Sequence, residues 1–198
     1  ETGDRQQIKK ATNTHMLLSP KGAYAYWYCA QDSSWYTRSM SDGKEYRLTT
    51  PASFTAWDED NDVPDYPSPH GLAGWTANDQ YLLIYDRYDI WKFDPTAQTS
   101  PVNLTLNGRK EQLSYRLVKL DKEKKFINLT EPQLLLAFNE KTKGSGYYST
   151  HLSAPAVPKT LLAGNFMLKT PVKAKDANAV IYTSETFEQY PDIRLSDL

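Results

Sequence analysis

Apolar residues occur in this chain as short runs separated by polar turns. The clearest case is YLLIYDRYDIWKFDP, residues 81–95. Five bulky residues at 81–85 are followed by Asp-Arg-Tyr-Asp at 86–89, and a second run at 90–93 ends before Asp94-Pro95. Bulky aliphatic and aromatic residues favour strands, and Asp and Pro favour turns. The pattern predicts two strands joined by a turn at 86–89.

The arrangement around this stretch recurs along the chain. Residues 19–49 and 76–105 both show a polar turn, an aromatic strand, a polar break, a second strand, and a third strand ending in Leu-Thr. Trp35 aligns with Trp91 at an offset of 56 residues. Weaker copies are predicted near 132–163 and 178–198.

Repeats of about 40–57 residues with three or four short strands are typical of β-propeller blades. The sequence therefore predicts an all-β fold, a partial β-propeller of about three to four blades forming one unit over residues 1–198. A plain β-sandwich with coincidental spacing is the alternative. Within 110–126 we expect a strand at SYRLVKLD rather than a helix, with a turn at 121–124.

A stable propeller usually has four to eight blades, so we expect this chain to be a piece of a larger protein. Its open edges would then be available for self-association. The chain contains 14 Tyr and 12 Pro and has a formal net charge of −1. No basic stripe indicates a nucleic-acid partner, and no apolar run approaches the roughly 18 residues of a membrane span.

Catalytic motifs are sparse. The chain has no G-x-S-x-G and three histidines, which we interpret as structural or surface residues. Ser41-Asp42-Gly43-Lys44 matches S-x-x-K, but it falls in a predicted turn rather than at the start of a helix. We therefore expect no catalytic residue and no cofactor in this chain.

The segment DEDNDVPDYP, residues 58–67, gathers five acids in one predicted loop. Hard cations such as calcium favour oxygen clusters of this kind, but the glycine and the distal glutamate of a calcium loop are missing. We predict a solvated, projecting acidic loop and no metal site.

The acids and the arginine at 86–89 allow two interpretations. In the first, Arg87 forms a structural ion pair with Asp86, with Asp89 or with an acid of the preceding loop. In the second, the turn lines one mouth of the propeller and contacts substrate or a second domain. The candidate substrate-contact residues are Glu59, Asp86, Arg87 and Asp89. A carbohydrate-active enzyme that uses Asp58, Asp60, Asp86 and Asp89 as paired carboxylates is a further possibility.

Three segments carry a family resemblance. These are residues 58–95, the pair PVNLTLNGRK and SYRLVKLD, and the C-terminal KAKDANAVIYTSETFEQYPDIRLSDL. They resemble the N-terminal propeller of bacterial prolyl oligopeptidase-family (dipeptidyl peptidase-like) serine peptidases. In that family the propeller precedes an α/β-hydrolase domain that carries the Ser, Asp and His of the catalytic triad. The resemblance covers roughly 15–198 and is most specific over 57–120 and 172–198.

The resemblance implies that this chain is the C-terminal part of such a propeller, without the hydrolase domain and its triad. The propeller would admit peptide substrates and exclude folded proteins, in the periplasm or outside the cell. Some relatives hold the substrate's free amino terminus with two propeller glutamates. Glu59 is the nearest candidate here, but the role is not transferred to it. The alternative is a stand-alone propeller that binds protein or carbohydrate through loops such as 58–70.

Overall fold

Four small antiparallel sheets, each of four strands, make up the fold. The computed structural model of this protein describes residues 3, 5, 7–9 and 14–197, and Leu198 of the predicted fourth repeat lies outside them. Sixteen strands and one short helix occur in these residues. The predicted all-β, partial propeller-like fold is therefore confirmed.

The sheets follow one another along the chain. Sheet one contains β1 (Leu17–Leu18), β2 (Tyr24–Cys29), β3 (Ser34–Ser39) and β4 (Glu45–Arg47). Sheet two contains β5 (Leu72–Trp75), β6 (Leu82–Tyr85), β7 (Ile90–Phe93) and β8 (Val102–Asn103). Sheet three contains β9 (Leu113–Leu117), β10 (Pro132–Asn139), β11 (Ser145–His151) and β12 (Lys159–Gly164). Sheet four contains β13 (Met167–Leu168), β14 (Val172–Lys173), β15 (Val180–Glu185) and β16 (Asp192–Ser196).

Helical structure is limited in the described part of the chain to α1 (Gly108–Glu111) and 3₁₀ turns at Ala30–Asp32 and Ala77–Asp79. No helix in these ranges is long and apolar enough to cross a membrane. The strand predicted within 110–126 is confirmed as β9.

The stretch at 81–95 folds as its pattern predicts. β6 and β7 pair antiparallel, with Leu82 opposite Phe93 and Tyr85 opposite Ile90, and residues 86–89 form the turn between them. All four residues of β6 are buried. Burial of both faces explains why this strand is continuously apolar rather than alternating.

The cores lie between successive sheets. Leu82 and Ile84 of β6 point into the cluster shared with sheet one, next to Tyr28 and Trp35. Leu83 and Tyr85 point the opposite way, into the cluster shared with sheet three, which contains Tyr115, Leu135, Tyr148 and Leu152. Alternation along one strand thus connects two cores, and sheet two is packed on both sides.

Sheet four packs against sheet three through aromatic and backbone contacts. The rings of Tyr147 and Tyr182 meet edge to face with centroids 5.5 Å apart. The Tyr147 hydroxyl donates to the carbonyl of Lys169 at 2.5 Å, and burial raises the pKa of Tyr147 to about 12. This hydroxyl therefore remains a donor at neutral pH, and it ties β11 to the segment after β13.

Each sheet begins one or two strands earlier than the corresponding predicted repeat. The predicted repeats start near 19, 76, 132 and 178, whereas the sheets start at 17, 72, 113 and 167. The first strands of sheets one, two and four have only two to four residues, so they carry too little alternation to be detected by pattern. The first strand of sheet three is β9, which the pattern does predict, but outside the third repeat.

The alignment of Trp35 with Trp91 is wrong by one residue. The backbone N–H of Trp35 donates to Thr49 Oγ1 at 2.9 Å, and the equivalent bond to Thr105 Oγ1 comes from Ile90 at 3.1 Å. Trp35 faces sheet two, and Ile90 correspondingly faces sheet three. Trp91 points back toward sheet one, because a one-residue shift moves a strand side chain to the opposite face.

Candidate functional site

The turn at 86–89 is built by the side chain of Asp86. Asp86 Oδ1 accepts the backbone N–H of Tyr88 at 2.8 Å and that of Asp89 at 2.5 Å. Asp side chains favour such turns because they bond to backbone groups two or three residues further on. Asp86 is only 4% exposed, so its carboxylate mainly supports the turn.

Asp89 anchors the connection from sheet two to sheet three. Its carboxylate accepts the Thr105 hydroxyl at 2.7 Å and the backbone N–H groups of Gly108 at 2.9 Å and Arg109 at 3.2 Å. The side chain is 1% exposed. Gly108 is needed at this point, because a Cβ would lie 2.6 Å from Asp89 Oδ1. Both carboxylate oxygens of Asp89 therefore accept hydrogen bonds that hold the local backbone in place.

Arg87 joins three separate segments. Its guanidinium donates to both carboxylate oxygens of Glu140, at 2.9 and 2.8 Å, and also lies 2.8 Å from Asp60 Oδ2. Glu140 follows β10, and Asp60 belongs to the acidic loop between sheets one and two. Of the partners predicted for Arg87, the acid of the preceding loop is confirmed. Asp86 and Asp89 are not among its described ion pairs.

Glu140 is the residue that sequence reasoning missed. It also accepts the Tyr88 hydroxyl at 3.1 Å and the Ser114 hydroxyl at 3.2 Å. The hydrogen bond from Arg87 is the main reason that the pKa of Glu140 lies below its usual value. The same bond raises the pKa of Arg87. Nothing in the local sequence NEKTKG distinguishes this glutamate, because its partners lie at least 26 residues away in sequence.

Two of the predicted contact residues meet through Arg109. Arg109 Nη2 lies 3.5 Å from Asp86 Oδ2, and Arg109 Nη1 lies 3.8 Å from Glu59 Oε1. The guanidinium carbons of Arg87 and Arg109 lie over the Tyr88 ring, at 5.5 and 5.0 Å from its centroid. Glu59 is therefore brought to the same surface as the 86–89 turn.

The base of the acidic loop is closed by backbone bonds. Asp58 N–H donates to the Ser68 carbonyl at 2.8 Å, and His70 N–H donates to the Ala56 carbonyl at 2.9 Å. The tip projects outward, and Val63 and Tyr66 are each 57% exposed. The predicted projecting loop is therefore found, held at its base and by Arg87.

Arg116 lies beneath the turn as a largely buried cation. Its guanidinium donates to the backbone carbonyls of Tyr115 at 2.8 Å and Arg87 at 3.1 Å, and it lies 4.6 Å from the centre of the Tyr85 ring. Burial lowers the pKa of Arg116. Among the described ion pairs none involves this arginine, so carbonyl dipoles and an aromatic face stabilise it.

His70 completes the cluster from the end of the acidic loop. Its Nε2 is buried without a hydrogen-bond partner and lies 4.0 Å from Glu59 Oε2. Burial is the main cause that lowers the pKa of His70, and the positive charge of Arg116 adds to it. Burial therefore favours the neutral form of His70, which is faced by three carboxylates (Asp58, Glu59 and Asp86) and two guanidinium groups (Arg87 and Arg116).

The cluster is a polar contact between loops and strand ends of sheets two and three. We call it the Arg87 junction, consisting of Glu59, Asp60, His70, Asp86, Arg87, Tyr88, Asp89, Arg109, Arg116 and Glu140. Both oxygens of Glu140 and most acceptor positions of Asp86 and Asp89 are already bonded. The bonding argues for docking and positioning rather than for proton transfer by Asp86 and Asp89.

Other sites were sought in the described residues. No group of three or more His, Cys, Asp and Glu side chains there is arranged to hold a metal ion. A cavity of about 650 Å³ lies away from the Arg87 junction, between the loop after β9 and residues 173–176. Its lining includes six lysines and four acids, namely Lys119, Lys122, Lys124, Lys125, Lys173, Lys175, Asp121, Glu123, Glu131 and Asp176.

No family model matches the sequence, and a search of curated proteins finds no match. The family resemblance noted from the sequence therefore stays a prediction.

The Arg87 junction predicts a measurable stability effect. Replacing Arg87 by Ala leaves the partly buried Glu140 without its bidentate donor, so we expect a loss of about 1–3 kcal/mol in the free energy of unfolding. Lys110→Ala is the matched control, because the Lys110–Glu111 pair is 3.9 Å long and exposed. It should cost about 0.5 kcal/mol or less. Urea unfolding measures both, and equal losses would contradict the junction's structural role.

Titration of His70 predicts a pH dependence. Its pKa is lowered on folding, so stability is complete above the ordinary value of about 6.5 and falls as pH drops through the depressed pKa. The charged groups facing it are Asp58, Glu59, Asp86, Arg87 and Arg116. We expect His70→Gln to flatten the stability curve between about pH 7 and 5 relative to the unmodified chain. Thermal unfolding across this range measures both proteins, and the same pH dependence in the two would refute the assignment.

Proposed function

We propose that this chain is the propeller portion of a prolyl oligopeptidase-family serine peptidase. In this role it acts as a substrate gate for an α/β-hydrolase domain that the chain itself does not contain. The observation that carries the proposal is the series of four stacked antiparallel sheets with a pinned acidic loop at one end. The resemblance of residues 58–95 and 173–198 to that family supports it.

The gate function follows from how the loops are held. Arg87 links the acidic loop, the 86–89 turn and the segment after β10 through ion pairs. A rim of linked loops would exclude folded proteins by size and leave room for extended peptides. Selection of this kind needs no reacting group in the propeller.

The charge of the rim suits one end of a peptide. Asp60 is 69% exposed at its side chain, and Glu59 is 31% exposed. Both retain surface that faces solvent while one oxygen contacts an arginine. A free α-amino group carries a positive charge and would be favoured at this rim by electrostatic complementarity. Peptide substrates in the periplasm or outside the cell fit the proposal.

A stand-alone binding module is the second candidate. The exposed Tyr66 and Val63 at the tip of the acidic loop favour it, because an aromatic ring among carboxylates is a common contact surface for protein or carbohydrate. In this case the loop itself, rather than a passage beside it, would be the functional element.

Activity of the purified chain tests the proposal. We expect no hydrolysis of dipeptide p-nitroanilides, because in the proposed mechanism acyl transfer requires a triad that belongs to the hydrolase domain. Addition of a fluorophosphonate should change nothing. Hydrolysis that this reagent abolishes would contradict the proposed division of labour.

Binding measurements separate the two candidates. A gate that reads the amino terminus should bind a free-amine tripeptide at least tenfold more tightly than its N-acetylated form, and Glu59→Gln should reduce the difference. Equal binding of both forms, lost on Tyr66→Ala but not on the still more exposed Tyr190→Ala control, would favour the binding module.

A further inference from the structure

The cavity of about 650 Å³ lies at the other end of sheet three from the Arg87 junction. Strand β10 begins at the cavity with Pro132, whereas Glu140 of the junction follows the end of this strand. The eight residues of β10 separate the two sites by roughly 25 Å. The residues that line the cavity fall between positions 74 and 176. Its volume is typical of small-molecule sites, and it is separate from the junction.

Backbone hydrogen bonds hold both walls of this cavity. On one side the loop at 118–131 docks on the end of β5, where the Ile127 N–H donates to the Trp75 carbonyl at 2.7 Å. Ile127 itself is buried. On the other side the Ala174 N–H donates to the Ala179 carbonyl at 2.8 Å and closes the turn after β14. The walls are therefore formed before a ligand binds, as in most small-molecule sites.

Four of the six lysines in the lining have unpaired ammonium groups. Lys124 pairs with Glu131 at 3.0 Å, and Lys173 Nζ donates to the carbonyls of Ala174 and Ala177 at 3.1 and 2.9 Å. Within the described residues, no ion pair, hydrogen bond or ring contact involves the ammonium groups of the other four, which are Lys119, Lys122, Lys125 and Lys175. Three of them belong to the loop at 118–131 and one to the facing turn, so unpaired cations stand on both walls.

Lys119 occupies a niche that a glycine creates. Gly74 has φ +138°, a conformation that favours glycine, and it lies where the register of β5 shifts against β6. A Cβ at this position would lie 3.5 Å from Lys119 Nζ and 3.4 Å from Ile127 Cδ1. Because Gly74 has no side chain, the ammonium group of Lys119 can lie against the strand backbone. This places one of the unpaired cations at the wall formed by β5.

The lining carries an excess of positive charge. Its six lysines and four acids give a net charge of +2, whereas the whole chain has a formal net charge of −1. Of the acids, Glu131 is bonded to Lys124 and Asn128, and Asp121 accepts the backbone N–H of Glu123 at 2.9 Å. A concave surface with an excess of one charge attracts ions of the opposite sign. Only an anion with several charged groups can contact the unpaired lysines of both walls at once.

We propose that this cavity binds a compact multivalent anion, a small molecule with several phosphate or carboxylate groups. One anionic group contacts Lys119 beside the backbone of Gly74, and another contacts Lys175 on the facing turn. Lys122 and Lys125 balance the remaining negative charge. Lysine suits such a ligand, because its ammonium group is a mobile point charge with three donors. The bound anion links the loop of sheet three to the turn of sheet four.

Titration calorimetry of the purified chain with tripolyphosphate tests the proposal. In about 50 mM NaCl we expect one molecule to bind per chain, with a dissociation constant below about 1 mM. Raising NaCl to about 300 mM should weaken binding at least about fivefold, because salt screens the attraction. Lys119→Gln and Lys175→Gln each remove one cation from one wall. Each should weaken binding at least about threefold, and the double variant at least about tenfold.

Matched controls separate this site from general surface charge and from the Arg87 junction. Lys110→Gln and Lys159→Gln remove the same charge from exposed positions outside the cavity and should leave the affinity unchanged. Glu59→Gln should also leave it unchanged, so this test does not depend on the function proposed for the junction. Thermal unfolding of each variant verifies that the chain remains folded.

Two further ligands define the chemistry that is recognised. Orthophosphate has a single phosphate group and should bind at least about tenfold more weakly than tripolyphosphate. Citrate carries three carboxylates and distinguishes the two sources of charge. Tighter binding of tripolyphosphate than of citrate would identify a phosphorylated ligand, and similar binding would extend the site to polycarboxylates.

Three results would overturn the proposal. The first is no measurable binding at about 1 mM tripolyphosphate in about 50 mM NaCl. The second is an equal loss of affinity in the cavity variants and in the Lys110 and Lys159 controls, which would assign binding to the surface as a whole. The third is orthophosphate binding as tight as that of tripolyphosphate, which would exclude an anion that contacts both walls.

Discussion

A short antiparallel sheet with apolar residues on both faces is unstable alone, and this chain meets that constraint by stacking its sheets. The constraint is clearest in β6, where Leu82 and Ile84 enter one core and Leu83 and Tyr85 enter the next. Each sheet therefore stabilises its neighbours through contacts distant in sequence. The consequence appears at sheet four, whose outer face keeps Ile193 and Leu195 exposed because no described sheet covers it.

Apolar contacts hold the sheets together, whereas polar bonds hold the loops that connect the strands. The carboxylates of Asp86 and Asp89 accept hydrogen bonds from backbone N–H groups. These bonds hold the turn and the connection to sheet three. Arg87 then joins this fixed turn to Asp60 and Glu140. The surface presented at this end is consequently held by hydrogen bonds and ion pairs at its base and is acidic at its rim. These properties suit selection and docking of a ligand better than proton transfer.

The sequence allowed correct prediction of features that depend on local pattern. The β6–β7 hairpin, its turn and the all-β class follow from alternation and turn residues within about fifteen positions. The bond from Arg87 to an acid of the preceding loop was also foreseen as one of several options. By contrast, Glu140 and Arg116 reach the junction only through the stacking of sheet three on sheet two. Their place could not be derived from residues near them in the chain.

The error at Trp35 has a related cause. Its offset from Trp91 is nearly that of the true repeat, but strand side chains alternate faces, so a one-residue error reverses the side on which a residue lies. The Leu-Thr motif was the better marker, because the threonine hydroxyls of Thr49 and Thr105 accept equivalent backbone bonds. Hydrogen-bonding residues at strand ends thus fixed the register more reliably than large aromatic residues.

The central functional claim is that this propeller serves a hydrolase domain encoded by the same gene. Reading the gene beyond the codon for Leu198 tests it most directly. The account predicts a continuing open frame that contains G-x-S-x-G, followed by the aspartate and histidine of a triad. A stop codon directly after Leu198 would contradict the claim and leave the stand-alone binding module as the function of this chain.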